Sequence, residues 1–158
     1  MRELVGFCAI DILGENRWLR SHPLKGDEDY KKVLYPLNFP SSNILFGYDD
    51  CEKNAEYIVI VEGPREVMKL SQEGYRNVVA IMGCHMSNQH LALIMKLSPK
   101  RVILLFDGDC AGVETTERVA ARLARLFSGD KVQKRFVPRG RDPKNLSSEE
   151  LEGLIKIV

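Results

Sequence analysis

Short, unbroken apolar runs set the pattern of this chain's second half. Val102-Ile103-Leu104-Leu105-Phe106 reads as a strand buried on both faces, as at the centre of a parallel sheet, and Tyr57-Ile58-Val59-Ile60-Val61 reads as another. Asn77-Val78-Val79-Ala80 and residues 131–137 supply two more strand-like stretches. Helical segments separate them. Pro64 suits a first helical position, where its missing N–H costs nothing, and Gly74 is a plausible stop about three turns later. Residues 111–127 read as a further helix. Strand and helix thus alternate from 57 to 137, the rhythm of a parallel sheet with covering helices. Ser147-x-x-Glu150 opens a last helix as a capping box, with Leu151, Leu154, Ile155 and Val158 as its apolar stripe.

Residues 1–56 lack that rhythm. Strand-like runs at 4–13, 17–21 and 43–48 are separated by Gly, Pro, Asn and Ser. The expected fold is therefore α/β: a parallel sheet with helices on both faces over 57–158, preceded by a small antiparallel, β-rich appendage over 1–56.

Candidate chemistry falls at the strand ends. Asp107-Gly108-Asp109 directly follows the 102–106 run, and Gly108 lets the backbone turn tightly between two carboxylates. Carboxyl ends of parallel strands are where open α/β sheets bind ligands. Glu62-Gly63-Pro64 repeats the arrangement after the 57–61 run. Alone, Asp-Gly-Asp is an ordinary acidic turn. Two strand-end acids of one design are less ordinary, because parallel strands place those ends on one edge. A third element, Gly140-Arg141-Asp142-Pro143, follows the 131–137 strand and taken alone is an Asx-Pro turn.

Composition changes this picture little. A length of 158 residues suits one domain, or one domain with a small appendage, and no apolar run approaches the length of a membrane span. With no secretory h-region at the N-terminus, a cytoplasmic location is expected. Cys8, Cys51, Cys84 and Cys110 form no Cys-x-x-Cys pair, which argues against a zinc ribbon and for reduced thiols. A net charge of +1 says nothing about nucleic acid, but its distribution does. Lys131, Lys134, Arg135, Arg139, Arg141 and Lys144 crowd one stretch beside the acidic edge, where they are candidates for holding phosphates.

Taken together, Val61-Glu62-Gly63, Asp107-Gly108-Asp109-Cys110-Ala111-Gly112 and Gly140-Arg141-Asp142-Pro143 resemble the three signatures of the Toprim domain. That domain is shared by topoisomerases, DnaG-type bacterial primases and OLD-family nucleases. Within the group the chain looks most like the catalytic core of DnaG-type primase. Asn77-Val78-Val79-Ala80-Ile81-Met82-Gly83 fills the intervening strand, and Gly6-Phe7 and 43–48 look like preceding segments; Lys31-Lys32-Val33-Leu34-Tyr35-Pro36 matches a primase signature only loosely. The resemblance implies Mg²⁺ or Mn²⁺ held by Asp107 and Asp109, with Glu62 as shared ligand or proton carrier and Asp142 serving a neighbouring ion.

Two positions depart from the primase pattern. Glu66 stands where an aspartate is usual, and Lys144 stands where the Asp-Pro motif carries a second aspartate. Glu66 can still bind a metal, whereas a protonated ammonium has no acceptor. Lys144 can replace a cation's charge with its own, so fewer bound metals are expected than in a typical primase core.

The activity implied is metal-dependent RNA primer synthesis on single-stranded DNA from ribonucleoside triphosphates, in company with a replicative helicase or other primase domains. A Toprim-type metal-dependent nuclease and a non-catalytic nucleic-acid-binding module remain as alternatives. A haloacid-dehalogenase-type phosphatase fits less well, since its Asp-x-Asp lies on the first strand.

Overall fold

The computed structural model describes residues 6–10, 16–20 and 38–156 of the protein. Gly6–Ile10 (β1) and Asn16–Arg20 (β2) pair antiparallel. Segment 31–36 and Val158, both named above, lie outside the described residues.

The main sheet consists of Ile58–Val61 (β3), Val78–Ala80 (β4), Val102–Phe106 (β5) and Val132–Phe136 (β6), all parallel, in the order β4-β3-β5-β6. Every residue of β3, β4 and β5 is buried. That is why these strands appear in the sequence as apolar runs without alternation: each face needs an apolar side chain. Edge strand β6 carries Lys134 and Arg135, a composition that discourages further pairing.

Among the described residues, four helices cover the sheet. Pro64–Gln72 (α1) and Ser148–Ile155 (α4) pack on one face, where Val67, Leu70, Leu151 and Ile155 meet Val59, Val61, Ile103 and Leu105. Asn88–Leu97 (α2) and Cys110–Leu123 (α3) pack on the other, where Leu93, Ile94, Leu97, Val119 and Leu123 meet Ile58, Ile60, Leu104 and Phe106. Helix starts follow local chemistry. Pro64 occupies the first turn of α1, and Ser147 caps α4 by accepting the Glu150 N–H. Helix α3 is shorter than the 111–127 expectation, because turns from Leu126 and Phe127 back to the Leu123 carbonyl take over. Among the described residues no helix is long and apolar enough to cross a membrane.

The 43–48 run is not a strand. It forms a single antiparallel bridge, Phe46 to Ala80, between 3-10 turns at Ser41–Asn43 and Tyr48–Asp50. Gly47 takes φ of 84°, which breaks extended geometry, and a Cβ there would lie 2.5 Å from the Val78 carbonyl oxygen. The bridge covers the outer edge of β4, with Ile44 buried in one layer and Leu45 in the other. His90 fastens this segment from α2. Fully buried, it accepts the Ser87 N–H at Nδ1 and lies 2.9 Å from the Ser41 carbonyl through Nε2, so that nitrogen carries the proton. Cys84 and His85, on the β4 exit, are exposed.

Candidate metal and phosphate site at the carboxyl edge of the sheet

Glu62 leaves β3 and Asp107 leaves β5 from adjacent parallel strands in register (Ile60 opposite Leu104), so both acids reach the same edge at nearly the same height. Asp109 follows within two residues. Because β5 also pairs in register with β6, the 138–145 segment comes to this edge as well. There the Gly108 N–H donates to the Arg141 carbonyl at 2.8 Å and the Gly140 N–H to the Gly108 carbonyl at 3.0 Å. A 3-10 turn, Pro143–Asn145, then rests against α1 and brings Asp142 and Lys144 to Glu66 in that helix's first turn.

Glycine makes the approach possible. A Cβ on Gly108 would fall 2.2 Å from the Pro138 carbonyl oxygen, and one on Gly112 would fall 2.0 Å from the Asp107 carbonyl oxygen. The strand exit is thus clamped between the start of α3 and the loop after β6, with no room for a side chain at either contact.

The acids are not equivalent. Glu66 is only 6% exposed; its Oε2 accepts the Gly63 N–H at 3.1 Å and its Oε1 lies 3.2 Å from the Lys144 ammonium. Lys144 also donates to Asp142. Asp109 caps α3, its Oδ1 accepting the Gly112 N–H at 2.7 Å, while the residue itself stays exposed. Asp107 differs from all of these: its Oδ1 is buried without any hydrogen-bond partner. As the side chains lie, no three acidic, histidine or cysteine groups among the described residues are arranged to hold an ion.

Charge crowding shows in the titration of these groups. Burial, reinforced by Asp142, Glu66 and Glu62, pushes the Asp107 carboxyl up to about 7. Burial also raises Glu62, with help from Glu66, Asp109 and Asp142. For Lys144 burial works downward, but Asp142 and Glu66 outweigh it and hold the ammonium above the ordinary lysine range. The sign for stability follows. An acid whose folded pKa exceeds its unfolded value binds protons better when folded, so its ionisation destabilises the fold as pH rises from the ordinary carboxylate range through about 7. The metal-free chain should therefore melt at lower temperature at about pH 8 than at about pH 5, as far as this edge is concerned. Millimolar Mg²⁺ should raise the melting temperature more at the higher pH, where it meets the ionised carboxylates. Melting curves at both pH values, with and without Mg²⁺, check this; an equal Mg²⁺ effect at both would count against it.

The predicted basic stretch is largely committed within the protein. Arg141 pairs with Glu150, Lys134 with Glu117 at 2.9 Å, and Arg135 donates to the Leu154 carbonyl and to Gln133. Lys131 and Arg139 are exposed and make no ion pair with the described residues, but only Arg139 follows β6 to the acidic edge. Lys131 precedes β6 and so lies at the opposite, amino edge of the sheet, not beside the acids as the sequence suggested. Exposed pairs of this kind contribute roughly 0–1 kcal/mol and can be exchanged for phosphate contacts.

With this geometry in view, the profile of the Toprim domain family matches residues 56–137. The chain belongs to the Toprim family. Its Toprim domain is homologous to the DnaG primase catalytic core. A DNA primase of Pseudomonas putida (strain KT2440) is 34% identical over 131 residues, covering 79% of this chain and 20% of that protein. A DNA primase of Staphylococcus aureus (strain COL) is 36% identical over 140 residues, covering 89% and 22%. The solved DnaG primase catalytic domain bound to ssDNA matches with a TM-score of 0.78 at 26% identity, over 99% of this chain and 52% of that one. The chain spans about one fifth of the length of the curated relatives it matches.

Toprim domains typically bind Mg²⁺, and one side of this edge fits such an ion. The donors are hard carboxylate oxygens, and the buried, unpartnered Asp107 Oδ1 is an acceptor for which the protein supplies no donor. The other side holds an ammonium. Sequence reasoning did not find the capping role of Asp109, although Asp three residues before a helical Gly112 N–H is a legible N-cap signal.

Proposed function

We propose that the chain is the Toprim part of a DnaG-type primase core, which joins ribonucleotides on a single-stranded DNA template with Mg²⁺ or Mn²⁺. The observation that carries this reading is the reach of the likeness. Similarity to DNA primases covers 79–89% of the chain, and that to the ssDNA-bound primase domain 99%, well past the 56–137 segment that the Toprim family profile matches. Asp107 and Asp109 would hold the metal, with Glu62 beside them as a further ligand or proton carrier. When bound, the metal neutralises charge on nucleotide phosphates and steadies phosphoryl transfer. The chain's own contribution is to hold these carboxylates on a rigid strand edge. Burial of Asp107 and Glu62 suits them to exchange a proton for a cation. Arg139, exposed in the loop after β6, would meet the DNA backbone, a contact that positions a template without reading its sequence. Cytoplasmic work beside a replicative helicase or other primase domains belongs to the same reading.

Labelled ribonucleotide incorporation on single-stranded DNA, measured beside cleavage of end-labelled DNA, tests the proposal. Metal-dependent primers are the expected product. Cleavage without incorporation would replace it with a nuclease, and DNA binding with neither activity would leave a non-catalytic module.

A further inference from the structure

The two positions at which this chain departs from the primase pattern touch each other. Glu66, one methylene longer than the usual aspartate, places Oε1 3.2 Å from the Lys144 ammonium, and Lys144 donates as well to Asp142, two residues before it. Both ends of the contact are held in place. Glu66 is buried and tied by its second oxygen to the Gly63 N–H. Lys144 sits in the Pro143–Asn145 turn, whose Pro143 is buried and whose Asn145 N–H returns to the Asp142 carbonyl at 2.9 Å. The acidic edge is consequently divided. Its α1 and post-β6 side carries a counter-ion built into the chain. No lysine or arginine forms an ion pair with Glu62, Asp107 or Asp109 among the described residues, and Asp107 Oδ1 is buried without a partner.

We propose that Lys144 is a resident cation which occupies the Glu66–Asp142 half of the acidic edge in place of a metal ion, so that the chain binds one divalent ion, on the Glu62–Asp107–Asp109 side. This rests on the metal reading given above and assigns its stoichiometry. An ammonium satisfies two carboxylates by charge and hydrogen bonds. It offers no acceptor to a metal and repels one at the distances involved. Glu66 and Lys144 act as a matched pair: the longer acid reaches the ammonium, and the ammonium neutralises an acid too buried to be solvated.

Calorimetric titration of the full chain with Mn²⁺ is the test, read beside the melting temperature of the metal-free protein. The wild type should bind one Mn²⁺. Lys144→Asp should bind two, with the tighter site improved about tenfold or more, because a positive charge is removed and an oxygen ligand is added. Lys144→Arg should keep a stoichiometry of one. Lys144→Met, which loses the charge without gaining a ligand, should lower the metal-free melting temperature. Two Mn²⁺ on the wild type, or one on a folded Lys144→Asp chain, would overturn the proposal. No Mn²⁺ on the wild type would defeat the metal reading itself, together with the one-ion stoichiometry. The resident-cation role is then decided by melting alone, and an unchanged metal-free melting temperature for Lys144→Met would reject it.

Discussion

Asp107→Asn is expected to be inactive and yet at least as stable as the parent chain without metal. The two halves of this result have one cause. Asp107 directly follows the fully buried β5, its Oδ1 has no donor, and Asp142, Glu66 and Glu62 surround it with like charge. At neutral pH the fold must therefore tolerate a carboxylate that burial and its neighbours both disfavour. Asparagine keeps the shape and removes the charge, which relieves that penalty and flattens the fall in stability with rising pH. It also removes the charged oxygen best placed to bind a cation. Loss of one such ligand should lower metal-dependent incorporation by about two orders of magnitude or more. Mg²⁺ should then no longer raise the melting temperature as it does in the parent. On the proposed reading, stability at this position is given up for chemistry. Full activity in Asp107→Asn, or a marked drop in metal-free stability, would mean that Asp107 serves the fold instead.

The fold was legible where burial is symmetrical. Strands β3 and β5 are flanked by helices on both faces, so their residues are apolar without interruption and the sequence shows them directly. The helix starts at Pro64 and Ser147 were legible for a different reason: their signals lie within four residues of each other. Segment 43–48 misled because Ile44, Leu45 and Phe46 are apolar like a strand, whereas Gly47 turns left-handed against Val78, a contact 31 residues away. The same limit governs the site. Shared placement of Glu62 and Asp107 on one edge followed from parallel topology. The fate of the basic stretch did not, because Glu117, Glu150 and Glu66, which engage Lys134, Arg141 and Lys144, come from other elements. Charge is read from a sequence residue by residue, but its neutralisation is a property of the packed chain.

Gly112→Ala should be the most damaging single-methyl change at this edge, and Gly153→Ala should be harmless. Both glycines are helical, Gly112 in the first turn of α3 and Gly153 within α4, so intrinsic propensity alone would favour alanine at each by about 1 kcal/mol. Packing separates them. A methyl on Gly153 meets nothing within 4 Å, and the substitution should stabilise by about 0.4–1 kcal/mol through the unfolded state. A methyl on Gly112 would lie 2.0 Å from the Asp107 carbonyl oxygen, 2.7 Å from its carbonyl carbon and 3.0 Å from its nitrogen. These are backbone atoms at the end of the central strand, and they cannot rotate away as a side chain can. Relief requires α3 to move off β5, which would loosen Val119 and Leu123 from Leu104 and Phe106 and pull Asp109 from its cap. Overpacking of this sort costs about 3 kcal/mol or more, a large share of a stability of roughly 5–15 kcal/mol. Urea denaturation of the two variants beside the parent measures the difference. The expected order of midpoints is Gly153→Ala at or above the parent and Gly112→Ala far below it. A Gly112→Ala midpoint equal to the parent's would show that the junction of β5 and α3 yields without cost, and that its glycine is not there for close packing.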